Sequence, residues 1–230
     1  MELGGLQKLT LLDYPGQVAC TVFTAGCNLR CPFCHNAGLV TRPVEAGLQQ
    51  EELLAFLKKR QGLLDGVCIT GGEPLLHPDL PGLMQKIKDL GYRVKLDTNG
   101  TFPKKLQQIL QDGLCDYVAM DIKNAPQRYG ETVGVDGDTV LPAVQKSVEL
   151  LLCGQVDYEF RTTLVAQLHS IEEFYELGPW LQGARHYYLQ RFVDSGDLIR
   201  PGLTQVPEDT AKAMVLAVQP YIPNTALRGY

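Results

Sequence analysis

No stretch of this sequence reaches the roughly 18 consecutive apolar residues that a membrane-spanning helix requires. No long run of Lys or Arg occurs either. The chain carries 21 basic and 26 acidic residues, a formal net charge of −5, which disfavours a broad basic face for nucleic acid. The opening Met1-Glu2-Leu3-Gly4-Gly5 lacks the basic and apolar parts of a secretory signal. There is no repeat of fixed period, no low-complexity tract and no clear linker. Seven cysteines without an export signal predict a reducing, cytoplasmic setting. The other bulk numbers are ordinary for a soluble chain: 230 residues, 45% hydrophobic and 20% charged. A chain of this length buries roughly 70% of its unfolded surface, so disulfide staples are not required. One domain over residues 1–230 is expected.

The most telling shortage is a missing cysteine. Cys27, Cys31 and Cys34 follow the spacing C-x3-C-x2-C, and no fourth cysteine stands nearby. A thiolate-held cubane cluster normally uses four. Three leave one iron open, and an open metal position separates a reactive site from a structural one. The competing reading is half of a zinc site, which usually wants paired C-x2-C units and four ligands. Cys20, Cys68, Cys115 and Cys153 form no second close pair and read as small buried hydrophobes. Gly26, just before the triplet, lets the backbone pass close to a bulky cluster. The triplet therefore points to an open iron-sulfur cluster and to an enzyme rather than a binding module.

Strand and helix patterns alternate along the rest of the chain. Strands are expected at Val18–Phe23, Gly66–Thr70, Arg93–Leu96, Tyr117–Met120, Tyr158–Val165 and Tyr187–Gln190. Helical spacing appears at Leu53, Leu54 and Leu57, and again from Leu80 to Leu90 with Gly91 as a stop. It recurs at Leu106, Ile109 and Leu110, at Val144, Val148 and Leu151, over Ile171–Leu181 and from about Glu208 to Gln219. This order implies parallel strands joined by right-handed crossovers. The fold class expected is α/β, a partial (β/α)6 TIM-like barrel with a C-terminal helix. Polar groups follow the strands and should gather at their carboxyl ends, where barrel active sites lie. The Gly- and Asp-rich stretch 124–139 reads as a mobile surface loop.

The cysteine segment resembles the signature of the radical S-adenosylmethionine (SAM) superfamily, C-x3-C-x-aromatic-C, with Phe33 as the aromatic residue. The opening Gly5-Leu6-Gln7-Lys8, the run Leu12-Asp13-Tyr14-Pro15-Gly16 and Cys34-His35-Asn36 are similar to its branch that activates glycyl radical enzymes. Within that branch the chain most resembles activators of anaerobic ribonucleoside-triphosphate reductase. The resemblance implies that Cys27, Cys31 and Cys34 hold a [4Fe-4S] cluster. It places Gly71-Gly72-Glu73-Pro74 along the methionine part of SAM. There glycine carbonyls would meet the ammonium, and Glu73 would add charge or order the turn. Asp97-Thr98-Asn99-Gly100 and Asp121-Ile122-Lys123 resemble positions beside the SAM carboxylate. Asp97 and Asp121 would hold a monovalent cation through hard oxygens, and Lys123 would balance the carboxylate. Arg161 is expected at the SAM carboxylate or ribose, and Gln190 and Phe192 near adenine or ribose. His35 and Asn36 would cap the loop or face a partner's glycine loop. Read on their own, Gly-Gly-X-Pro and Asn-Gly are equally ordinary turns. His77, His169 and His186 lack ligand-like spacing.

What the resemblance implies for function follows. Reductive cleavage of SAM would give methionine and a 5′-deoxyadenosyl radical, which removes a hydrogen from a glycine of a partner glycyl radical enzyme. The implied partners are an anaerobic ribonucleotide reductase and a flavodoxin- or ferredoxin-type electron donor. The alternatives are activation of a different glycyl radical enzyme, a radical SAM reaction on a purine-like or pterin molecule, and a non-catalytic metal or electron-transfer protein.

Overall fold

The computed structural model describes residues 1–43 and 47–230. Eight strands form one sheet in sequence order: β1 (Leu3–Thr10), β2 (Ala19–Thr24), β3 (Gly66–Gly71), β4 (Arg93–Thr98), β5 (Tyr117–Asp121), β6 (Asp157–Leu164), β7 (Tyr187–Arg191) and β8 (Thr225–Arg228). Every pairing from β2 to β8 is parallel, whereas β1 runs antiparallel to β2. The order leaves the barrel open between β1 and β8. No helix among the described residues is long and apolar enough to cross a membrane.

Helices fill the crossovers: α1 (Ala37–Thr41) and α2 (Gln50–Lys59) before β3, α3 (Leu80–Asp89) before β4, and α4 (Pro103–Gln111) before β5. Then come α5 (Tyr129–Val133) and α6 (Gly137–Leu152) before β6, α7 (Ile171–Trp180) before β7, and α8 (Glu208–Val218) before β8. Their placement follows from side-chain parity. Alternate strand residues Val67, Ile69, Val94, Leu96, Val118, Met120, Tyr158 and Phe160 are buried. They join Met84, Ile87, Leu106, Ile109, Val148 and Leu177 of the helices in one apolar core. The intervening residues, among them Cys68, Lys95, Asp97, Asp121, Glu159 and Arg161, face the lumen. Parallel strands covered on both faces usually read as continuous apolar runs. Here half of each strand is polar, because its inner face borders a cleft.

The six expected parallel strands and the C-terminal helix are present, with β1 and β8 in addition. β1 was not legible as a strand: its two glycines and exposed middle carry little β-propensity, and pairing with β2 makes it one. At Gly4 a Cβ would fall 2.3 Å from a methyl end of the Leu39 side chain, which would have to turn aside to admit it. β8 is only four residues long. Two expectations fail. Segment 124–139 is not a mobile loop; a 3-10 turn (Pro126–Arg128), α5 and the start of α6 occupy it. Asn124, Tyr129, Thr132 and Val133 are buried, and Asn124 Nδ2 donates to Thr132 Oγ1 (2.8 Å) and to the Leu168 carbonyl (2.9 Å). Its glycines serve close contact: at Gly134, with φ of +67°, a Cβ would lie 2.2 Å from the Arg30 carbonyl oxygen. Cys153 is exposed at the end of α6 instead of buried, while Cys20, Cys68 and Cys115 are buried as expected.

Candidate active site

The cysteine loop leaves β2 and is anchored by backbone bonds from three directions. Gly26 N–H donates to the Leu39 carbonyl (2.8 Å), Arg30 N–H to Val133 (2.9 Å), and Arg200 N–H to Pro32 (3.0 Å). The Gly71-Gly72-Glu73 turn after β3 presses on the start of this loop. A Cβ on Gly72 would sit 1.8 Å from the Gly26 carbonyl oxygen, and Gly71 has φ of +116° with Thr24 backbone only 2.3 Å from its missing Cβ. Glycine is therefore required at both positions. Glu73 N–H donates to the Gly26 carbonyl (2.9 Å), and Asn36 Nδ2 donates to the Gly71 carbonyl (2.8 Å). Asn36 thus ties the far end of the cysteine loop to the same turn. His35 packs edge-on against Phe192 at 5.9 Å between ring centroids.

Glu73 is fully buried and orders the strand ends. Its Oε1 accepts from Leu75 N (3.0 Å) and Thr98 Oγ1 (2.8 Å), and its Oε2 from Asn99 N (2.7 Å). Burial pushes its carboxyl up to about 7, although the three donors oppose the rise. Asn99 Nδ2 reaches Asn28 Oδ1 (3.0 Å) and Cys27 Sγ (3.7 Å). The turn after β4 is therefore bonded directly to the cysteine loop.

Below these turns lies a charged layer. Arg161 Nη1 donates to Asp97 Oδ2 (3.0 Å), and its Nε and Nη2 both reach Asp121 Oδ1 at 2.9 Å. Lys123 Nζ donates to Asp121 Oδ2 (2.9 Å), and Lys95 Nζ contacts Asp97 Oδ1. Burial alone would raise both aspartates, but Arg161 with Lys95 or Lys123 overrides it, and Asp121 is held at about 2. Lys123 also stands over the Phe33 ring, 5.8 Å from its centroid.

A cleft of about 410 Å³ unites these parts. Cys27, Cys31, Phe33, Cys34, Gly71, Gly72, Asp97, Thr98, Asn99, Asp121, Lys123, Arg161 and Gln190 all line it. Glu73 and Pro74 do not; they are buried behind the lining. Phe192 is also buried, one residue past β7. The three thiols suit a cluster. They are free and face one cavity, and a thiophilic metal would hold them as thiolates against the burial that pushes the Cys31 thiol up to about 12. Among the described residues no three His, Cys, Asp or Glu side chains converge as the shell of a single metal ion. A cluster, unlike a single ion, would give each thiolate its own iron.

Several residues of the site escaped sequence reasoning. Asp13, between β1 and β2, lines the cleft and accepts from Thr21 Oγ1 (2.5 Å). Lys95 and Thr163 also lie on lumen-facing strand positions; alternation of polar and apolar residues in their strands was the available signal. His169 Nδ1 accepts from Val165 N (3.1 Å), which leaves Nε2 to donate to the Lys123 carbonyl (2.9 Å). It fixes the backbone of the Asp121–Lys123 turn from outside the cleft.

A sequence profile of the Radical SAM superfamily matches residues 21–151. The chain belongs to that superfamily. It is an enzyme of the radical SAM kind, and the family implies a [4Fe-4S] cluster and SAM. The chain is similar to a provisionally named glycyl-radical enzyme activating enzyme of Methanocaldococcus jannaschii. It is 30% identical over 98% of this chain and 95% of its own length. The pyruvate formate-lyase-activating enzyme of Clostridium pasteurianum is 34% identical over 54% of this chain and 52% of its own. A 7-carboxy-7-deazaguanine synthase of Halobacterium salinarum is 40% identical, but over 35% of this chain and 31% of its own. The chain thus spans about half or less of the last two. Streptococcus suis SuiB bound to S-adenosylmethionine shares the fold, with a TM-score of 0.71 at 16% identity over 90% of this chain and 49% of SuiB.

Proposed function

We propose that this radical SAM enzyme activates a glycyl radical enzyme, with an anaerobic ribonucleoside-triphosphate reductase as the partner. The observation that carries the reading is the alignment, nearly end to end on both sides, with the activating-enzyme relative of Methanocaldococcus jannaschii. The opening motifs around Gly5 to Gly16 support the same branch. The whole of 1–230 acts as one domain in this reading.

Cys27, Cys31 and Cys34 would hold the cluster, and the cleft walls would hold SAM. The SAM amino group would rest against the Gly71-Gly72 turn, behind which Glu73 bonds Leu75, Thr98 and Asn99. Lys123 would face the carboxylate, and Gln190 on β7 would meet the nucleoside. When bound, the cluster and SAM supply reductive C5′–S cleavage and a carbon radical able to take a glycine hydrogen. The protein's part is to orient the sulfonium and exclude water from the lumen. An electron donor of the flavodoxin or ferredoxin type would reduce the cluster.

The test is electron paramagnetic resonance after anaerobic reconstitution, reduction and mixing with the reductase. A glycyl doublet together with 5′-deoxyadenosine is the expected result. The local 40% identity to a 7-carboxy-7-deazaguanine synthase favours a second reading, a purine-like small substrate. SAM turnover that leaves the reductase without a radical, but consumes such a molecule, would replace the first reading with the second.

A further inference from the structure

The resemblance to activating enzymes implies a monovalent cation between Asp97 and Asp121, and the residues around these two carboxylates do not fit one. All four carboxylate oxygens already accept from cationic nitrogens. Asp97 Oδ1 faces Lys95 and its Oδ2 faces Arg161 at 3.0 Å; Asp121 Oδ1 faces Arg161 at 2.9 Å and its Oδ2 faces Lys123 at 2.9 Å. We propose that Arg161 is a resident counter-ion that stands in the place of that cation, so that SAM binding here needs neither potassium nor sodium. This rests on the reading that the cleft takes SAM.

Strand register makes the substitution possible. Arg161 on β6 lies directly across from Asp121 on β5, and Asp97 on β4 lies across from Ala119. Ala119 is the small residue between them, so the guanidinium passes over β5 and reaches both carboxylates. A planar fork of donors meets two carboxylates at once, as a lysine ammonium on the same stem could not. The charge count agrees. In direct contact, Lys95, Arg161 and Lys123 bring three positive charges to Asp97 and Asp121; Asp13, elsewhere on the cleft wall, accepts from Thr21, and the neighbouring Glu159 is taken by Arg228 at 2.9 Å. A further cation would add to an existing excess in a site where charges are poorly solvated. The same excess suits a carboxylate ligand.

The cluster-reconstituted enzyme is compared in potassium, sodium and tetramethylammonium chlorides at one ionic strength. Melting temperature is read without SAM, and SAM affinity by anaerobic calorimetry. For the wild type, both are expected to be the same in all three salts, the affinities agreeing within about twofold. A cation that bound the folded site would stabilise it by mass action; a melting temperature raised by potassium, or SAM binding about tenfold tighter in it, would overturn the proposal. Arg161→Met with normal iron content should gain that potassium dependence, about tenfold in SAM affinity. If it stays indifferent to salt, Arg161 is not the stand-in. If the variant fails to assemble its cluster, the wild-type comparison decides alone. A wild type that binds SAM in no salt would sink the functional reading, while its melting temperature still reports on the cation.

Discussion

On the helix-covered face of the sheet, Val67, Ile69, Val94, Leu96, Val118, Met120 and Phe160 are fully buried within the apolar core. On the lumen face, the same strands carry Cys68, Lys95, Asp97, Asp121, Glu159 and Arg161. Lys95 and Glu159 are as inaccessible as the aliphatic residues, at 1% exposure each. The outer face is held by area removed from water, which is tolerant of shape. The inner face is held by pairing, where each charge needs its particular partner. Stability and chemistry are thereby assigned to opposite sides of one backbone, residue by alternate residue.

The contrast breaks most sharply at the cluster. Cys31→Ala should abolish iron incorporation and 5′-deoxyadenosine formation while leaving the fold, read by iron analysis, product assay and circular dichroism. Phe160→Ala should do the reverse. It should cost about 3–5 kcal/mol of unfolding free energy, measured by urea titration, and leave the SAM affinity of the folded fraction unchanged.

Glu73, behind the lining, joins the two regimes. Its folded carboxyl, near 7, lies above the ordinary 4.5, so protonation stabilises the fold. That contribution is whole below about pH 4.5 and lost as pH rises through about 7, a change of about 3 kcal/mol. Asp97 and Asp121 act with the opposite sign: they stabilise above about pH 4 and lose that contribution as acid approaches the Asp121 value of about 2. His35 and His169, both lowered by burial, act with the opposite sign in this window, so the Glu73 contribution is read as a difference: in urea titrations at pH 5 and 7.5, the stability of the wild type relative to Glu73→Gln should fall with rising pH. The smallest effect belongs to the outer shell. Ser170 and Glu173 form a capping box on α7, and Ser170→Ala should cost about 1 kcal/mol without changing SAM affinity.

The legible parts of the molecule were those with local signals. Cysteine spacing, helical periodicity at Leu83, Met84 and Ile87, and turns after strands needed no distant partner to be read. Asp97, Thr98 and Asp121 were recognised as site candidates, yet the structure puts them within strand ends. Their strands continue because β5 and β6 extend the ladder beside them. Segment 124–139 misled because glycine and aspartate suggest exposure, whereas Gly134 answers to Arg30, a hundred residues earlier in the chain. β1 and Asp13 were hidden for the same reason: what makes them structure lies in β2. The ion pairs of the lumen were out of reach because register, not composition, decides which charges meet.

The contact between Gly26 and Gly72 carries a consequence of its own. Two backbones meet there with no room for a methyl group on the second. The cysteine loop and the turn after β3 are consequently keyed to one another like interlocking castings. Transplanting the loop into another scaffold would succeed only if the matching turn travelled with it, and a drift at either position would have to be answered at the other.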